Sequence, residues 1–156
     1  MSKYLIVFFV SMVPILELRF AMPIAVGMDL PYLPALITCA IGNMVPVPFI
    51  YLFARKFLIW GSHKKYIHKI CTFFLEKGEK AGQKLVSAAG RGGLFVALML
   101  FVGIPIPGTG AWTGTLGASF LNLGPKTTAV AVSLGVIMAG IIMAVASGSV
   151  FHIVGL

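Results

Sequence analysis

Two uninterrupted apolar segments constrain the fold of this chain more than any other feature of its sequence. Ala35–Ala54 and Thr127–Phe151 each contain at least 20 residues and carry no charge. A helix of about 20 apolar residues crosses the roughly 30 Å hydrocarbon core of a bilayer. Only 10% of all residues are charged and 59% are hydrophobic, whereas a soluble domain carries about 25% charged residues. The sequence therefore predicts an all-α integral membrane protein.

Two further apolar blocks are interrupted by helix-breaking residues. Tyr4–Val26 contains Pro14 and Pro23, and Leu94–Leu123 contains the run Gly-Ile-Pro-Ile-Pro-Gly-Thr-Gly at 103–110. The two arms of the second block would be helices about 14 and 20 Å long, and neither could cross the bilayer alone. We expect each block to form a re-entrant helical hairpin whose break is buried in protein or lines a cavity. The alternative is one kinked spanning helix per block.

The broken and unbroken blocks occur in the same order in both halves of the chain. A shift of ninety residues places the first break, Glu17–Pro23, on the second, 107–113, and a polar connector and an apolar span follow each break. A hairpin makes no net crossing and a span makes one, so the second half would be inverted. Inverted repeats with broken helices are a recurring plan of secondary transporters. We expect one membrane domain, 1–156, made of repeat one (4–54), a basic amphipathic linker (55–93) and repeat two (94–151).

The positive charge of the chain is concentrated in this linker. Nine of the 12 lysine and arginine residues lie between Arg55 and Arg91. The positive-inside rule places such a loop in the cytoplasm, and both termini would then be extracytoplasmic if the broken blocks are hairpins. Apolar residues at helical spacing in 67–75 predict a basic amphipathic helix on the inner leaflet, anchored by anionic lipids, with a glycine-rich, loose second half. This explanation needs no nucleic-acid partner, and we expect none.

Glu17 and Arg19 are charged residues inside the first break, and with Pro23 at its end they are the candidate site residues of this break. Charges at hydrocarbon depth are costly and usually mark a transport or relay site. A buried carboxylate must be paired or protonated, so Glu17 is a candidate proton carrier, and the guanidinium of Arg19 suits phosphate or carboxylate. Residues i and i+2 do not face each other on a helix, so the pair converges only if the backbone unwinds. A structural role, as an ion pair that staples the hairpin, is the alternative.

The second break carries backbone donors and hydroxyl groups instead of charges. Glycine lets backbone approach a ligand closely, and the helix that follows would direct its free N–H groups toward the break, as at an anion site. A tight packing turn is the alternative. No Gly-Lys-Ser/Thr follows, so this is not a phosphate-binding P-loop. The candidate site residues of this break are Pro105, Pro107, Gly108, Thr109, Gly110, Trp112 and Thr113.

The remaining polar and small residues suggest structural roles more than chemical ones. Asn43 would bridge helices or line the substrate path, and Asp29 would cap a helix. Two small-residue stripes on the last apolar segment would pack helices within the chain or across a homodimer; they are Ala131, Gly135 and Ala139, and Gly140, Ala144 and Gly148. The histidines and the two cysteines have no metal or catalytic spacing, so we expect no metal, no cofactor and no enzymatic activity.

The two breaks together resemble a known family. The motifs are Glu17-Leu-Arg19-x-Ala21-x-Pro23 and Phe101-x-Gly103-x-Pro105-x-Pro107-Gly-Thr-Gly-Ala-Trp112. They are similar to those of the bacterial and archaeal family labelled "putative small multi-drug export protein", over essentially the whole chain. More distantly, the chain resembles the DedA/VTT superfamily. That resemblance implies two re-entrant hairpins in an inverted repeat and proton-coupled movement of lipids such as undecaprenyl phosphate or phospholipids.

The resemblance also assigns roles to individual residues. Glu17 matches the acidic residue of the first DedA-type motif, and Pro105 and Pro107 match prolines of the second. The arginines that the superfamily carries in the second motif are absent, because this chain has no arginine after Arg91. Arg19 would have to supply that charge. The resemblance implies a multi-pass protein of the prokaryotic cell membrane.

Three functions remain open from the sequence. The first is a transporter or flippase of an amphiphilic substrate, such as a lipid phosphate or phospholipid, coupled to protons or ions through Glu17. The second is an exporter of cationic drugs, whose charge Glu17 would neutralise. The third is a non-transporting membrane scaffold held together by the small-residue stripes. The expected partners are membrane lipids and an amphiphilic or anionic small molecule.

Overall fold

All regular structure in the described part of the chain is helical. A computed structural model describes residues 2–14, 16–89, 93–106 and 108–154, with the side chains of 55 and 148–154 outside that description. In chain order the elements are α1 (Ser2–Met12), α2 (Glu17–Gly27), α3 (Tyr32–Met44), α4 (Pro46–Phe49), a π-helical turn (Ile50–Ala54), α5 (Arg55–Ser62), α6 (His68–Ala89), α7 (Gly93–Gly103), α8 (Ala111–Phe120) and α9 (Pro125–Val154).

Two helical stretches are long and apolar enough to cross a membrane. They are Tyr32–Ala54 and Pro125–Ser147, each of 23 residues, which corresponds to about 35 Å of helix. Large apolar side chains are exposed along both at intervals of three or four residues, as a lipid-facing surface requires. These side chains are Leu33, Ile37, Ile41, Val45 and Phe49 on the first, and Val130, Leu134, Ile137, Ile141 and Val145 on the second. The described residues are all-α, as predicted, and two of their helical stretches could cross a membrane by length and composition.

The two halves contain the same series of elements, at a different offset from the one expected. Each has a short helix, a break, a second short helix and a long helical stretch: α1, α2 and Tyr32–Ala54 in one half, α7, α8 and α9 in the other. After α2 and after α8 the chain turns through a left-handed residue, Asp29 (φ 57°) and Asn122 (φ 53°). In each turn the next N–H donates to the carbonyl five residues back, at 3.0 Å, which is a Schellman cap.

These caps correct the ninety-residue alignment of the sequence analysis. Asp29 and Asn122 are 93 positions apart, and so are the first residues of α3 and α9. The offset differs because the second break contains more non-helical residues than the first. Asp29 ends α2 through its left-handed backbone, which Asp and Asn tolerate better than most residues.

The helix that follows the break in each half, α2 or α8, packs against the long helical stretch of the other half. In the first direction α2 lies on α9, where a Cβ at Gly140 would be 3.3 Å from a methyl of Leu18. In the second direction α8 lies on the π-helical turn, where Ser119 Oγ donates to the carbonyl of Tyr51 at 3.0 Å. The core therefore contains fully buried residues from both halves: Leu18, Met22, Leu98, Val102, Val132 and Val136.

The small-residue stripes are used inside the chain. A Cβ at Gly135 would lie 2.7 Å from the carbonyl oxygen of Met99 on α7, and one at Gly140 would lie 2.2 Å from Leu36 on α3. Gly42 lies 93 residues before Gly135. A Cβ at Gly42 would lie 2.6 Å from the carbonyl oxygen of Phe8. Glycine is required wherever two helix backbones approach this closely. The packing explains Gly135 and Gly140 without a second copy of the chain, the surroundings of Gly148 lie outside the described residues, and a homodimer stays a prediction.

The expectation of a loose second half in the linker is wrong for the described residues up to Ala89, and Gly90 and Gly92 lie outside the described residues. α6 continues without a break to Ala89, because its glycines allow close packing against α8. A Cβ at Gly78 would lie 2.6 Å from Leu116 Cγ, and one at Gly117 would lie 2.9 Å from the backbone nitrogen of Gly82. The apolar face of α6 therefore packs on protein along this stretch, and its buried residues include Cys71 and Leu85.

Candidate functional site

The first break is shorter than the sequence indicated. α1 ends at Met12 and α2 begins at Glu17, so Pro23 lies inside a helix that continues to Gly27. Prolines are tolerated in membrane helices because neighbouring groups satisfy the freed carbonyl, and the expected break as far as Pro23 is corrected on that ground. Glu17 itself has a left-handed φ of 49°. A non-glycine residue held in this region is strained, and such strain concentrates at functional sites.

Glu17 binds the N-terminus of α8 in the other half of the chain. Its Oε1 accepts a hydrogen bond from the Trp112 N–H at 3.0 Å, and its Oε2 accepts one from the Ala111 N–H at 3.3 Å. The side chain is only 6% exposed. Free N–H groups and the helix dipole make this end of α8 a favourable place for an anion. The anion expected there from the sequence is, in this structure, a carboxylate of the same chain.

The absence of a side chain at Gly110 allows this contact. A Cβ at Gly110 would lie 2.1 Å from Glu17 Oε2, and the residue has a φ of 146°. Both the space and the backbone conformation therefore require glycine. Gly110 is 93 positions after Glu17, the same separation as that of Asp29 and Asn122.

Arg19 binds the non-helical backbone of the second break. Its Nη1 donates to the Ile106 carbonyl, and its Nη2 donates to Thr109 Oγ1 at 2.7 Å and to the Ile104 carbonyl at 3.3 Å. The Thr109 hydroxyl donates in turn to the Ile106 carbonyl at 2.8 Å. The two charged residues thus join the breaks with opposite polarity, since the carboxylate accepts from N–H groups and the guanidinium donates to carbonyl groups.

A cavity of about 570 Å³ lies where the two breaks meet. Eight of the eleven site residues expected from the sequence line it: Glu17, Arg19, Pro23, Pro105, Gly108, Thr109, Trp112 and Thr113. Gly110 is not among the lining residues but contacts Glu17. Asn43 is 2% exposed and does not line the cavity, and Pro107 lies outside the described residues.

Sequence reasoning missed five residues of the cavity lining, which are Pro14, Phe20, Phe74, Lys77 and Met143. Phe74 and Lys77 belong to α6, in the basic linker. The sequence contained a signal for both residues. Lys77 directly precedes Gly78, a glycine of the face that packs on α8, and Phe74 lies about one helical turn before it. An amphipathic pattern shows which face of a helix is apolar but not whether that face contacts lipid or protein. From the sequence we expected the apolar face of α6 to contact the membrane, and its packing on α8 was therefore missed.

Two polar atoms of the lining residues have no hydrogen-bond partner among the described residues. They are Trp112 Nε1 and Thr113 Oγ1, and both are buried. Buried polar groups are hydrogen-bonded in the great majority of cases. An indole N–H can only donate, and a hydroxyl can donate or accept. Two of the lining residues therefore carry buried polar atoms without a partner among the described residues, and these atoms are not exposed to the cavity.

The described residues contain no group of three or more His, Cys, Asp or Glu side chains that could hold a metal ion. Cys39 and Cys71 are free and buried on separate helices, α3 and α6.

A protein-family model with the description "Putative small multi-drug export protein" matches residues 17–142. The chain belongs to this family. The matched segment begins at Glu17, where α2 follows the first break, and includes the second break, α6 and most of α9, so every described residue of the cavity except Pro14 and Met143 lies inside it. The family resemblance noted in the sequence is confirmed, and the chain is a membrane protein of a family described by export. No curated protein and no solved structure matches the chain.

Proposed function

We propose that the protein is a transporter of an amphiphilic substrate, which binds in the cavity between the two breaks. The observation that carries this proposal is the position of Glu17, a buried carboxylate that spans from one break to the other across that cavity. Buried ionisable groups at membrane depth are costly and mark transport sites. Substrate sites formed by discontinuous helices of two repeats are a known transporter plan.

The lengths of the short helices support two re-entrant hairpins in an inverted arrangement. α1 and α7 have 11 residues each, about 16 Å of helix, which is half of a hydrocarbon core. The recurrence of helix order and Schellman caps at an offset of 93 residues supports the repeat. Each half would then cross the membrane once, through the helical stretch Tyr32–Ala54 or through α9, and the breaks would meet at depth in the membrane.

Protonation of Glu17 would couple transport to protons. A carboxylate forms charge-assisted hydrogen bonds that are about twice as strong as neutral ones, and the dipole of α8 adds to this attraction. Protonation removes the charge and therefore weakens both bonds to the Trp112 and Ala111 N–H groups. The N-terminus of α8 then becomes available to the substrate, and the two breaks can separate.

The cavity suits an amphiphile because one set of walls is apolar and another is charged. Phe20, Phe74, Trp112 and Met143 provide the apolar walls, and Glu17 and Arg19 lie beside them. Ligand sites commonly combine apolar walls with a few polar groups that orient the ligand. A lipid phosphate or phospholipid is one amphiphile of this kind, and the distant DedA/VTT resemblance suggests it.

The family description favours a second function, the export of cationic drugs. Glu17 is the one acidic residue among the residues that line the cavity, so it would have to leave α8 and turn toward the drug. Both functions need Glu17, but they require opposite charges on the substrate. A non-transporting scaffold needs the Glu17 contact only for folding.

Uptake by purified protein in liposomes with an imposed pH gradient tests the proposal. The probes are dodecyl phosphate and dodecyltrimethylammonium, which have the same tail and opposite charge, below the concentration that permeabilises the vesicles. We expect gradient-driven uptake by the wild type and gradient-independent or absent uptake by Glu17→Gln. The matched control is Glu76→Gln, which changes an exposed acid on α6 and should transport like the wild type. Gradient-driven uptake by folded Glu17→Gln would contradict the proposed coupling, and a wild type inactive toward both probes would favour the scaffold.

A further inference from the structure

We propose that Lys77, on the central helix α6, makes the cavity selective for an amphiphile with an anionic headgroup. This inference rests on the proposed function and names the substrate class of that site. From the sequence we expected α6 to act as an anchor at the membrane surface. The structure instead places one of its lysines in the wall of the cavity that both breaks line.

Lys77 differs from the other lysines of its helix in its surroundings. It is half-buried, whereas Lys69, Lys80 and Lys84 are exposed. Its Nζ lies 4.9 Å from the centre of the Phe73 ring, and it has no ion pair among the described residues. A cation over an aromatic ring is stabilised only moderately. Its ammonium group therefore has donors available to a ligand.

The charges around the cavity favour an anion. Arg19 and Lys77 are cations, and Glu17 is the one acid in the lining. Arg19 donates hydrogen bonds to uncharged acceptors, which are the carbonyls of Ile104 and Ile106 and the Thr109 hydroxyl. These bonds therefore do not neutralise the positive charge of Arg19. With Glu17 ionised the lining carries one net positive charge, and with Glu17 protonated it carries two.

The charged donors of the lining residues favour the same ligand. The guanidinium of Arg19 and the ammonium of Lys77 can only donate hydrogen bonds. A phosphate or carboxylate headgroup offers only strong acceptors, whereas a quaternary ammonium offers none. The apolar tail would lie along Phe20, Phe74 and Met143, which line the same cavity.

The close packing of α6 on α8 holds Lys77 in place. Gly78 follows Lys77 directly and lies against Leu116 of α8, and Gly82 lies against Gly117 one turn later. A side chain on a helix fixed in this way is positioned much more closely than one on a mobile loop. The basic central segment thus forms the third wall of the site beside the two breaks.

Tryptophan fluorescence can test the inference, because Trp112 lines the cavity and Trp60 is the other tryptophan in the sequence. The Trp60→Phe variant leaves Trp112 as the sole reporter. In detergent it is titrated with dodecyl phosphate and dodecyltrimethylammonium. We expect the anionic amphiphile to bind at least tenfold more tightly. Further titrations with inorganic phosphate and with phosphatidic acid in mixed micelles distinguish a free anion from a lipid headgroup as the natural ligand.

Lysine variants in the same background locate the selectivity. Lys77→Gln should weaken dodecyl phosphate binding about tenfold, Lys77→Arg should restore most of it, and Lys80→Gln should stay within twofold of the parent. Equal losses for Lys77→Gln and Lys80→Gln, tighter binding of the cationic amphiphile, or no response of Trp112 to the anion would each overturn the inference. The readout is binding without a pH gradient, so this failure is distinguishable from a failure of Glu17 coupling in liposomes.

Discussion

Glu17 reaches the N-terminus of α8 because Gly110 has no side chain to obstruct it. This contact places one acidic group of the first break on backbone donors of the second. Gly108 lies in the same loop and has a φ of 86°, but a Cβ added there would have no neighbouring atom within 4 Å. A residue with a Cβ at position 108 would therefore have a strained backbone but no close contact with Glu17 or any other residue. The two glycines separate the effect of the contact from the effect of backbone conformation.

We expect Gly110→Ala to destabilise the protein more than Gly108→Ala. Each substitution meets a φ that costs an alanine about 1–3 kcal/mol. At Gly110 a Cβ would also lie 2.1 Å from the carboxylate, and such overpacking costs about a further 1–3 kcal/mol. Thermal unfolding in detergent measures both. In a Glu17→Ala background the extra cost at Gly110 should disappear; an undiminished difference would show that the Glu17 contact is not its source.

At the scale of elements, the packing of α6 on α8 depends on which glycine faces a backbone. A Cβ at Gly117 would lie 2.9 Å from the backbone nitrogen of Gly82 and 3.1 Å from the carbonyl carbon of Ala81. The nearest atom to a Cβ at Gly82 would be 3.5 Å away, an ordinary contact. Two substitutions on opposite sides of one interface should therefore have opposite effects.

We expect Gly117→Ala to be destabilising and Gly82→Ala to be neutral or stabilising. The first separates two helix backbones, at about 1–3 kcal/mol, and the second replaces glycine inside a helix, which favours alanine by up to about 1 kcal/mol. Thermal unfolding in detergent checks the sign of each change. Because α6 carries Lys77, Gly117→Ala should also weaken the binding of dodecyl phosphate. Equal stability of the two variants would mean that the helices are not packed this closely.

The elements were predictable to different degrees for physical reasons. Long uncharged segments determine where a helix must lie, so the last span was expected at 127–151 and is found at Pro125–Val154. Pro23 was misjudged because proline ends helices reliably in water but is tolerated in membrane helices. The meeting of the two breaks was expected from the proposed repeat, although the expected offset of 90 residues is three short of the separation of Asp29 and Asn122. Lys77 was missed because helix periodicity does not identify what the apolar face contacts.

For the whole molecule, the arrangement as two hairpins and two spans makes a prediction about sidedness. If each half crosses once, the N-terminus and the α5–α6 loop lie on opposite sides of the membrane. If the broken blocks span fully, they lie on the same side. In a variant without Cys39 and Cys71, we expect Ser2→Cys to react with an impermeant thiol reagent from the extracytoplasmic side and Lys64→Cys from the cytoplasmic side. Both positions are exposed, and reaction of both from one side would contradict the hairpins.

The central claim is that Glu17 gives up its charge and leaves α8 when the substrate binds. Infrared difference spectroscopy of the reconstituted protein, recorded with and without dodecyl phosphate, measures this protonation directly. We predict that binding produces the carbonyl band of a protonated carboxylic acid in the wild type and in Glu76→Gln, and that the band is absent in Glu17→Gln. Substrate binding without this band, or a band that persists in Glu17→Gln, would contradict the account.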